Sequence, residues 1–361
     1  KSLGIFKKVN TDIKKGSDNS LKIIDINIEE RPSGEISLSA GFGTSGEIVG
    51  AGIKEKNFLG KGINLDTNLE LTPESIKGRF IYAKPNFNNT DNTLFTSLKS
   101  STTDLLTNSG YKTSELGFSL GTKFEQFQNI FLRPEIDFLI EDLETSDKAS
   151  DVLKKQKGTY TDLYFNYTIN QDLRDRKFRT QSGYQTFFSQ EVPLISENSE
   201  FSNAFEISKY NKLSTRSDTV GKISFFAKTI TGLSNDVRIS KRLNIPSSRL
   251  RGFEKGRVGP IDNNDYVGGN HVTALNLSAT LPNIVEGLDN LDVGVFFDAA
   301  NIWGIDYNSS LDDKSTIRTS TGIAFNLLTP IGPLSFSFAN ALTKASSDKT
   351  ETFRFRLGTQ F

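Results

Sequence analysis

Residues 62–71 read GINLDTNLEL, and the alternation in that stretch decides the fold. Ile63, Leu65, Thr67, Leu69 and Leu71 fall on one side of an extended chain, and Asn64, Asp66, Asn68 and Glu70 on the other. Successive side chains of a β-strand point to opposite faces, so one face of this segment is apolar and the other wet. The same period recurs at Thr161, Leu163, Phe165, Tyr167 and Ile169 against Asp162, Tyr164, Asn166 and Thr168. It returns at Val293, Val295 and Phe297 against Asp292, Phe296 and Asp298, and from Ile317 to Leu327 against Arg318, Ser320, Gly322, Ala324 and Asn326. The chain closes on it again: Phe353, Phe355, Leu357, Thr359 and Phe361 alternate with Arg354, Arg356, Gly358 and Gln360.

Two architectures compete for such a pattern. One is a large soluble β-sandwich or solenoid with a wet face; the other is a closed barrel, apolar toward lipid and polar toward a lumen. From Gly34 onward, sixteen segments of about 8 to 12 residues can be placed, an even number within the range of bacterial outer-membrane barrels. Connections such as FLGKG, EQFQ and TPIG are short, while those around 141–157, 230–269 and 301–315 are long. Short turns on one side and long loops on the other are a feature of membrane barrels, and this sorting favours the barrel.

Composition narrows the function classes. With 361 residues, 35% hydrophobic content and 28 Phe, the chain has the material for a folded domain. Its 43 basic and 43 acidic residues balance, and no basic run is interleaved with aromatics, so nucleic acid is not an expected partner. No cysteine and a single histidine, His271, exclude thiol chemistry, disulfides and Cys/His zinc sites. No cofactor is expected. GFGTSG (41–46) runs from one strand into another and opens no helix, so it does not cradle phosphate. Asp292 and Asp298 lie six residues apart on one strand, about 20 Å and too far for joint acid–base work, so an enzyme is not expected. No window approaches the roughly 18 apolar residues of a membrane helix, but that test is blind to strands.

Residues 1–33 depart from the barrel pattern. KSLGIFKKVNTDI reads as the end of a helix followed by a short strand, and LKIIDINIEERP as a half-buried strand with Ile24, Ile26 and Ile28 on one face. Pro32 and Gly34 then interrupt it. The expected domains are therefore 1–33, the end of a soluble domain, and 34–361, the barrel. A plug or leader arm is the alternative for 1–33. The lack of any Met suggests that Lys1 is not the start of the translated product.

One stretch resists the alternation: SSRLRGFEKGRVGP, 247–260, is neither a good strand nor a good helix. Taken alone, RGF is an exposed turn in which Gly252 supplies a positive φ. It belongs, however, to an ordered series: GEISLSAGFGTSGEIVGAGIKEKNFLGKGINLDTNLEL (34–71), RGFEKGRVGP followed by VGGN (267–270), GVFFDAANIWG (294–304), LLTPIGPLSFSFA (327–339) and FRFRLGTQF (353–361). In that series, which runs the length of the chain, the sequence resembles the BamA family, the membrane subunits of the bacterial β-barrel assembly machinery. The same barrel occurs in translocation and assembly module proteins and two-partner secretion transporters, which supply the alternative function of a protein-secreting pore.

The resemblance implies a 16-stranded antiparallel outer-membrane barrel in which 1–33 is the truncated end of the last periplasmic POTRA domain. It implies a location in the bacterial outer membrane with the N-terminal domain in the periplasm. Implied partners are unfolded outer-membrane β-barrel clients, outer-membrane lipids and accessory assembly lipoproteins bound through the POTRA region. Arg251, Gly252 and Phe253 would form the tip of a long sixth loop (about 230–269) folded back into the lumen, with Asp298 as the carboxylate partner of Arg251. A second family carboxylate, one strand earlier, is replaced by Ser278 in ALNLSATLP.

Closure of a barrel in hydrocarbon is nearly compulsory, since each unpaired amide or carbonyl there costs several kcal/mol. The weak point is the seam between the first strand, about 34–44, and the last, 351–361. Ser39, Gly41 and Gly43 offer little inward packing, and Gly358 permits a bend. By the resemblance this seam is a lateral gate of Ile36, Ser37, Leu38, Ser39, Ala40, Gly41 and Phe42 against Phe353, Phe355, Leu357, Gly358 and Phe361. There an incoming strand would pair by β-augmentation. Trp303 fits either an interfacial aromatic at the external rim or ordinary loop packing, and His271, beside VGGN, a rim or lumen position.

Overall fold

A computed structural model describes residues 5–358 apart from 19, 45, 215–217, 283–286, 289, 312, 314, 330 and 331. The chain begins with an antiparallel hairpin, β1 (Phe6–Lys15) and β2 (Lys22–Glu30). The barrel follows as β3 (Gly34–Gly43), β4 (Gly46–Phe58), β5 (Ile63–Thr72), β6 (Ser75–Lys84), β7 (Thr93–Leu105), β8 (Tyr111–Phe127), β9 (Ile130–Thr145), β10 (Gly158–Asp172), β11 (Gly183–Ser196), β12 (Glu200–Lys212) and β13 (Val220–Gly232). A long loop carries the small hairpin β14 (Ile261–Asp262) and β15 (Asp265–Tyr266). The barrel then resumes with β16 (His271–Pro282), β17 (Leu291–Trp303), β18 (Arg318–Thr329), β19 (Gly332–Thr343) and β20 (Phe353–Leu357). Each barrel strand pairs antiparallel with its neighbours and β20 meets β3, so sixteen strands close on themselves.

Side-chain parity fixes which face is which. Leu69, Leu71, Ile169, Val295 and Ile323 are exposed on the outer wall, whereas Asp162, Asp298 and Ser320 are fully buried inside. An apolar outside and a polar inside are the inverse of a soluble sandwich and suit a wall bathed in lipid. Among the described residues no helix is long and apolar enough to cross a membrane; the strands do that.

Connections sort by length less cleanly than the sequence suggests. The long segments 146–157, 233–270 and 304–317 do emerge at one end, here the loop end, but so does the tight turn 73–74. At the opposite end, beside the β1–β2 hairpin, 173–182 is longer than that turn. It folds across the mouth of the barrel, where Arg179 Nε and Nη2 both reach the Asp292 carboxylate of β17 at 3.0 Å.

The N-terminal segment also differs from expectation. Phe6–Lys15 is strand throughout, longer than the short strand expected, and residues 1–4, where the expected helix end would lie, are outside the described residues. Ile24, Ile26 and Ile28 share a face but are 60%, 58% and 52% exposed. Two strands alone cannot bury an apolar face, which is why these side chains remain open.

The lumen is filled, not empty. Loop 233–270 carries Val237, Leu243, Ile245, Leu250, Phe253 and Val258 inward, where they pack on Ile230, Val272, Ala274, Ala300 and Ile302 of β13, β16 and β17. A second apolar cluster at the loop end joins Leu143, Leu153, Ile239 and Val267. This apolar interior explains how a stretch rich in Arg and Gly folds back into the barrel: its aliphatic residues supply the burial that offsets the ordering of a long loop.

Candidate functional site

The site has two parts, a seam and the loop tip behind it. At the seam β3 and β20 share a ladder. Among the described residues only Arg356–Gly43 and Leu357–Phe42 are in register, extended by the Thr44 N–H donating to the Phe355 carbonyl at 3.1 Å. On its other edge β3 pairs with β4 over its full length, from Gly34–Glu55 to Gly43–Gly46.

Local sequence shapes this join. Ser37, Ser39, Gly41 and Gly43 point inward and Ile36, Leu38, Ala40 and Phe42 outward, with Ile36 78% and Leu38 82% exposed. The glycines let the two backbones approach: a Cβ on Gly43 would sit 2.5 Å from the Phe355 carbonyl oxygen. Gly358, at φ +104°, lies against Ala40 and Gly41, where a Cβ would collide with the Ala40 carbonyl oxygen, and donates its N–H to the Pro333 carbonyl at 3.0 Å. On the outer face the Phe42 and Phe355 rings lie 5.7 Å apart, continuing a row through Phe353 and Phe338. Phe361 lies outside the described residues. Behind the seam, inside the wall, is a cavity of about 360 Å³ bordered by Gly43, Pro73, Arg251, Arg354, Arg356 and Gly358.

The loop tip is fixed by a charged fork. Arg251 donates from Nε (2.8 Å), Nη2 (2.7 Å) and its main-chain N–H (3.1 Å) to the two oxygens of Asp298, which is fully buried. Its guanidinium also lies 3.4 Å from the centre of the Phe296 ring. A planar fork is the arrangement that makes the fully buried carboxylate tolerable beside a partly buried guanidinium. Gly252, at φ +86°, lies against Ala339 and Ser320, where a Cβ would come within 3.2 Å, and Phe253 is 2% exposed in the lumen core.

The neighbour one strand earlier is not Ser278. Asn276 faces Asp298 in register and donates Nδ2 to its Oδ1 at 2.8 Å and to the Arg249 carbonyl at 2.8 Å. Ser278 lies opposite Phe296 and borders a different cavity, near Arg179 and Asp292. Parity puts both on the inner face; only the β16–β17 register separates them, and that register is set by a connection the pattern does not specify.

Sequence reasoning missed most of what else holds the loop. Arg238, 1% exposed, meets Glu141 (3.2 Å), Asp162 (2.6 Å) and Glu200 (2.9 Å) from three strands, with the Tyr160 ring 4.4 Å from its guanidinium. Arg318 forks onto Asp348, whose Oδ1 accepts the Gly259 N–H at 3.2 Å. At the loop end, Arg242 pairs with Asp306, which also accepts from the Val237 N–H (3.0 Å) and Asn270 (2.9 Å). Burial alone would raise Asp306, but the Val237 amide, the Arg242 charge and the Asn270 amide outweigh it and hold the carboxyl below its ordinary value. His271 and Trp303 pair across β16 and β17, with ring centres 5.4 Å apart, at the loop end of those strands.

Comparison with known proteins gives the frame. Residues 57–361 match the model of the Omp85 superfamily domain. The outer membrane protein assembly factor BamA of Neorickettsia risticii is 22% identical over 100% of this chain and 49% of its own length. That of Neisseria meningitidis is 26% identical over 99% and 51%. The chain thus spans about half the length of the curated relatives it matches. Among solved structures, BamA from Haemophilus ducreyi lacking POTRA domains 1–3 superposes with a TM-score of 0.87 at 23% identity, covering 100% of this chain and 76% of that one. CdiB from Escherichia coli gives 0.57 at 11%, covering 98% and 68%.

Proposed function

The chain belongs to the Omp85 superfamily, and from that premise we propose that it is an insertase that assembles β-barrel proteins into the bacterial outer membrane through the seam between β3 and β20. It is itself an outer-membrane barrel of the BamA-like kind. The observation that carries the reading is the make-up of the join: β3 and β20 meet through Gly41, Gly43 and Gly358, with the outward row of Phe42 and Phe355 on one side and a cavity of about 360 Å³ on the other.

Parted from β20, the edge of β3 would seek another strand in lipid. An unfolded client whose terminal strand docks there gains main-chain hydrogen bonds, while Ile36, Leu38, Ala40 and Phe42 present an outward apolar row that the client's own outward residues continue. The gate residues are then Ile36 to Phe42 on one side and Phe353, Phe355, Leu357, Gly358 and Phe361 on the other. Arg251, Gly252 and Phe253, seated on Asp298, hold the loop behind them. Burial and strand pairing of the client supply the driving force, so no nucleotide is needed. Residues 1–33 act as the end of a periplasmic POTRA domain through which assembly lipoproteins bind.

The test is reconstitution. The full-length protein in liposomes should speed the insertion of an unfolded barrel client, read by heat-modifiable migration. A Phe42→Cys/Leu357→Cys disulfide should abolish the gain until it is reduced. No acceleration, or one indifferent to the disulfide, would overturn the reading, and the second result would favour a secretion pore.

A further inference from the structure

Besides its neighbours in the wall, the last strand has a support inside the lumen. Arg354 lies on β20 opposite Ser337 of β19 and points inward. Its Nη1 donates to the Ser247 carbonyl at 2.7 Å and its Nη2 to the Phe253 carbonyl at 2.6 Å, while Glu351 steadies the guanidinium from the same strand end. Ser247 and Phe253 flank the Arg251–Gly252 tip. One planar fork therefore bridges the two arms of the folded loop.

The segment leading into β20 follows the same track. Glu254 N–H donates to the Lys349 carbonyl and Lys349 N–H to the Arg257 carbonyl, both at 3.0 Å, and Glu351 N–H donates to the Gly252 carbonyl at 3.1 Å. Phe253 and Thr350 form a β-bridge. Residues 348–354 are thus bonded to the loop tip by a strip of main-chain and side-chain hydrogen bonds, and β20 is tied to that tip as well as to its neighbouring strands.

We propose that Arg354 is a positioning residue that makes the closed seam conditional on the seated loop: the fork finds both carbonyls only when the tip rests on Asp298. Withdrawal of the tip removes the inner support of β20 and lets the edge of β3 open. This rests on the gate reading above, but it concerns the seam itself and is tested without a client.

The probe is the rate at which Phe42→Cys/Leu357→Cys forms a disulfide in the full-length protein in lipid vesicles at a fixed mild oxidant. Each lost charge-assisted bond is worth on the order of a tenfold change in the closed-to-open ratio. Arg354→Ala should therefore slow the reaction by about tenfold or more, with Arg354→Lys, which reaches one carbonyl, in between. Asp298→Asn, with Arg354 intact, should slow it too, and Arg354→Ala should add nothing in that background. An unchanged rate, or an equal loss in both backgrounds, overturns the proposal, the latter by showing that Arg354 acts within the last strand alone. If Arg354→Ala does not fold, Arg354→Lys measured with and without Asp298→Asn decides in the same way. A chain that shows this coupling but inserts no client refutes only the earlier function.

Discussion

At the residue scale, the structure depends on arginines in places the alternation does not advertise. Arg238 gathers Glu141, Asp162 and Glu200 from β9, β10 and β12 with almost no water around them. Removing it leaves three carboxylates facing one another, with Lys241 near Glu141 at 3.6 Å. Breaking a buried ion cluster on one side costs about 3–5 kcal/mol. Arg238→Met should therefore lower stability by about that amount in urea unfolding, and adding Asp162→Asn and Glu200→Gln should recover most of it. The sequence showed Asp162 on the inner face of its strand, because parity is local. It did not show the cluster, because its members are joined only by the closing of the sheet around loop 233–270. Asp298 was legible for the same local reason, whereas the exchange of Asn276 for Ser278 came from a register that no single strand encodes.

At the scale of elements, the loops are clasped to one another through carboxylates. Asp306, on the loop that follows β17, accepts from the Val237 N–H and pairs with Arg242, both on the loop that follows β13. Its pKa is held below the ordinary 3.8. A depressed carboxyl contributes stability above its unfolded pKa, and that contribution is lost as pH falls through the lower folded value. The clasp should therefore be intact at pH 5 and loosen only below about pH 4. Hydrogen exchange at the Val237 amide, corrected for intrinsic rate, should show protection falling in that acid window. Asp306→Asn should abolish the pH dependence, and protection already lost at pH 6 would contradict the assignment. The seam follows a similar logic at strand scale: glycines at Gly41, Gly43 and Gly358 were readable as weak packing. The start of β20 at Phe353 was not, because it depends on where loop 344–352 is drawn inward by the lumen loop.

For the whole molecule, alternation over sixteen strands was enough to turn the apolar face outward and close the sheet, since each strand states its own two faces. The contents of the lumen were less legible. The apolar residues of 233–270 look like any loop until the wall of β13, β16 and β17 surrounds them, and the turn 173–182 gives no sign that it crosses the opposite mouth. The passage is consequently obstructed at both ends, by the seated loop at one and by the Arg179–Asp292 fork at the other. Two obstructions in series limit current by the narrower, so removing one exposes the second. In planar bilayers, deleting 247–258 alone should raise conductance modestly, and Arg179→Ala alone hardly at all. The combination should raise it by more than the sum of the two. A full-sized channel from the loop deletion alone would show that 173–182 leaves the lumen open, and that the loop is the sole barrier between the two sides of the membrane.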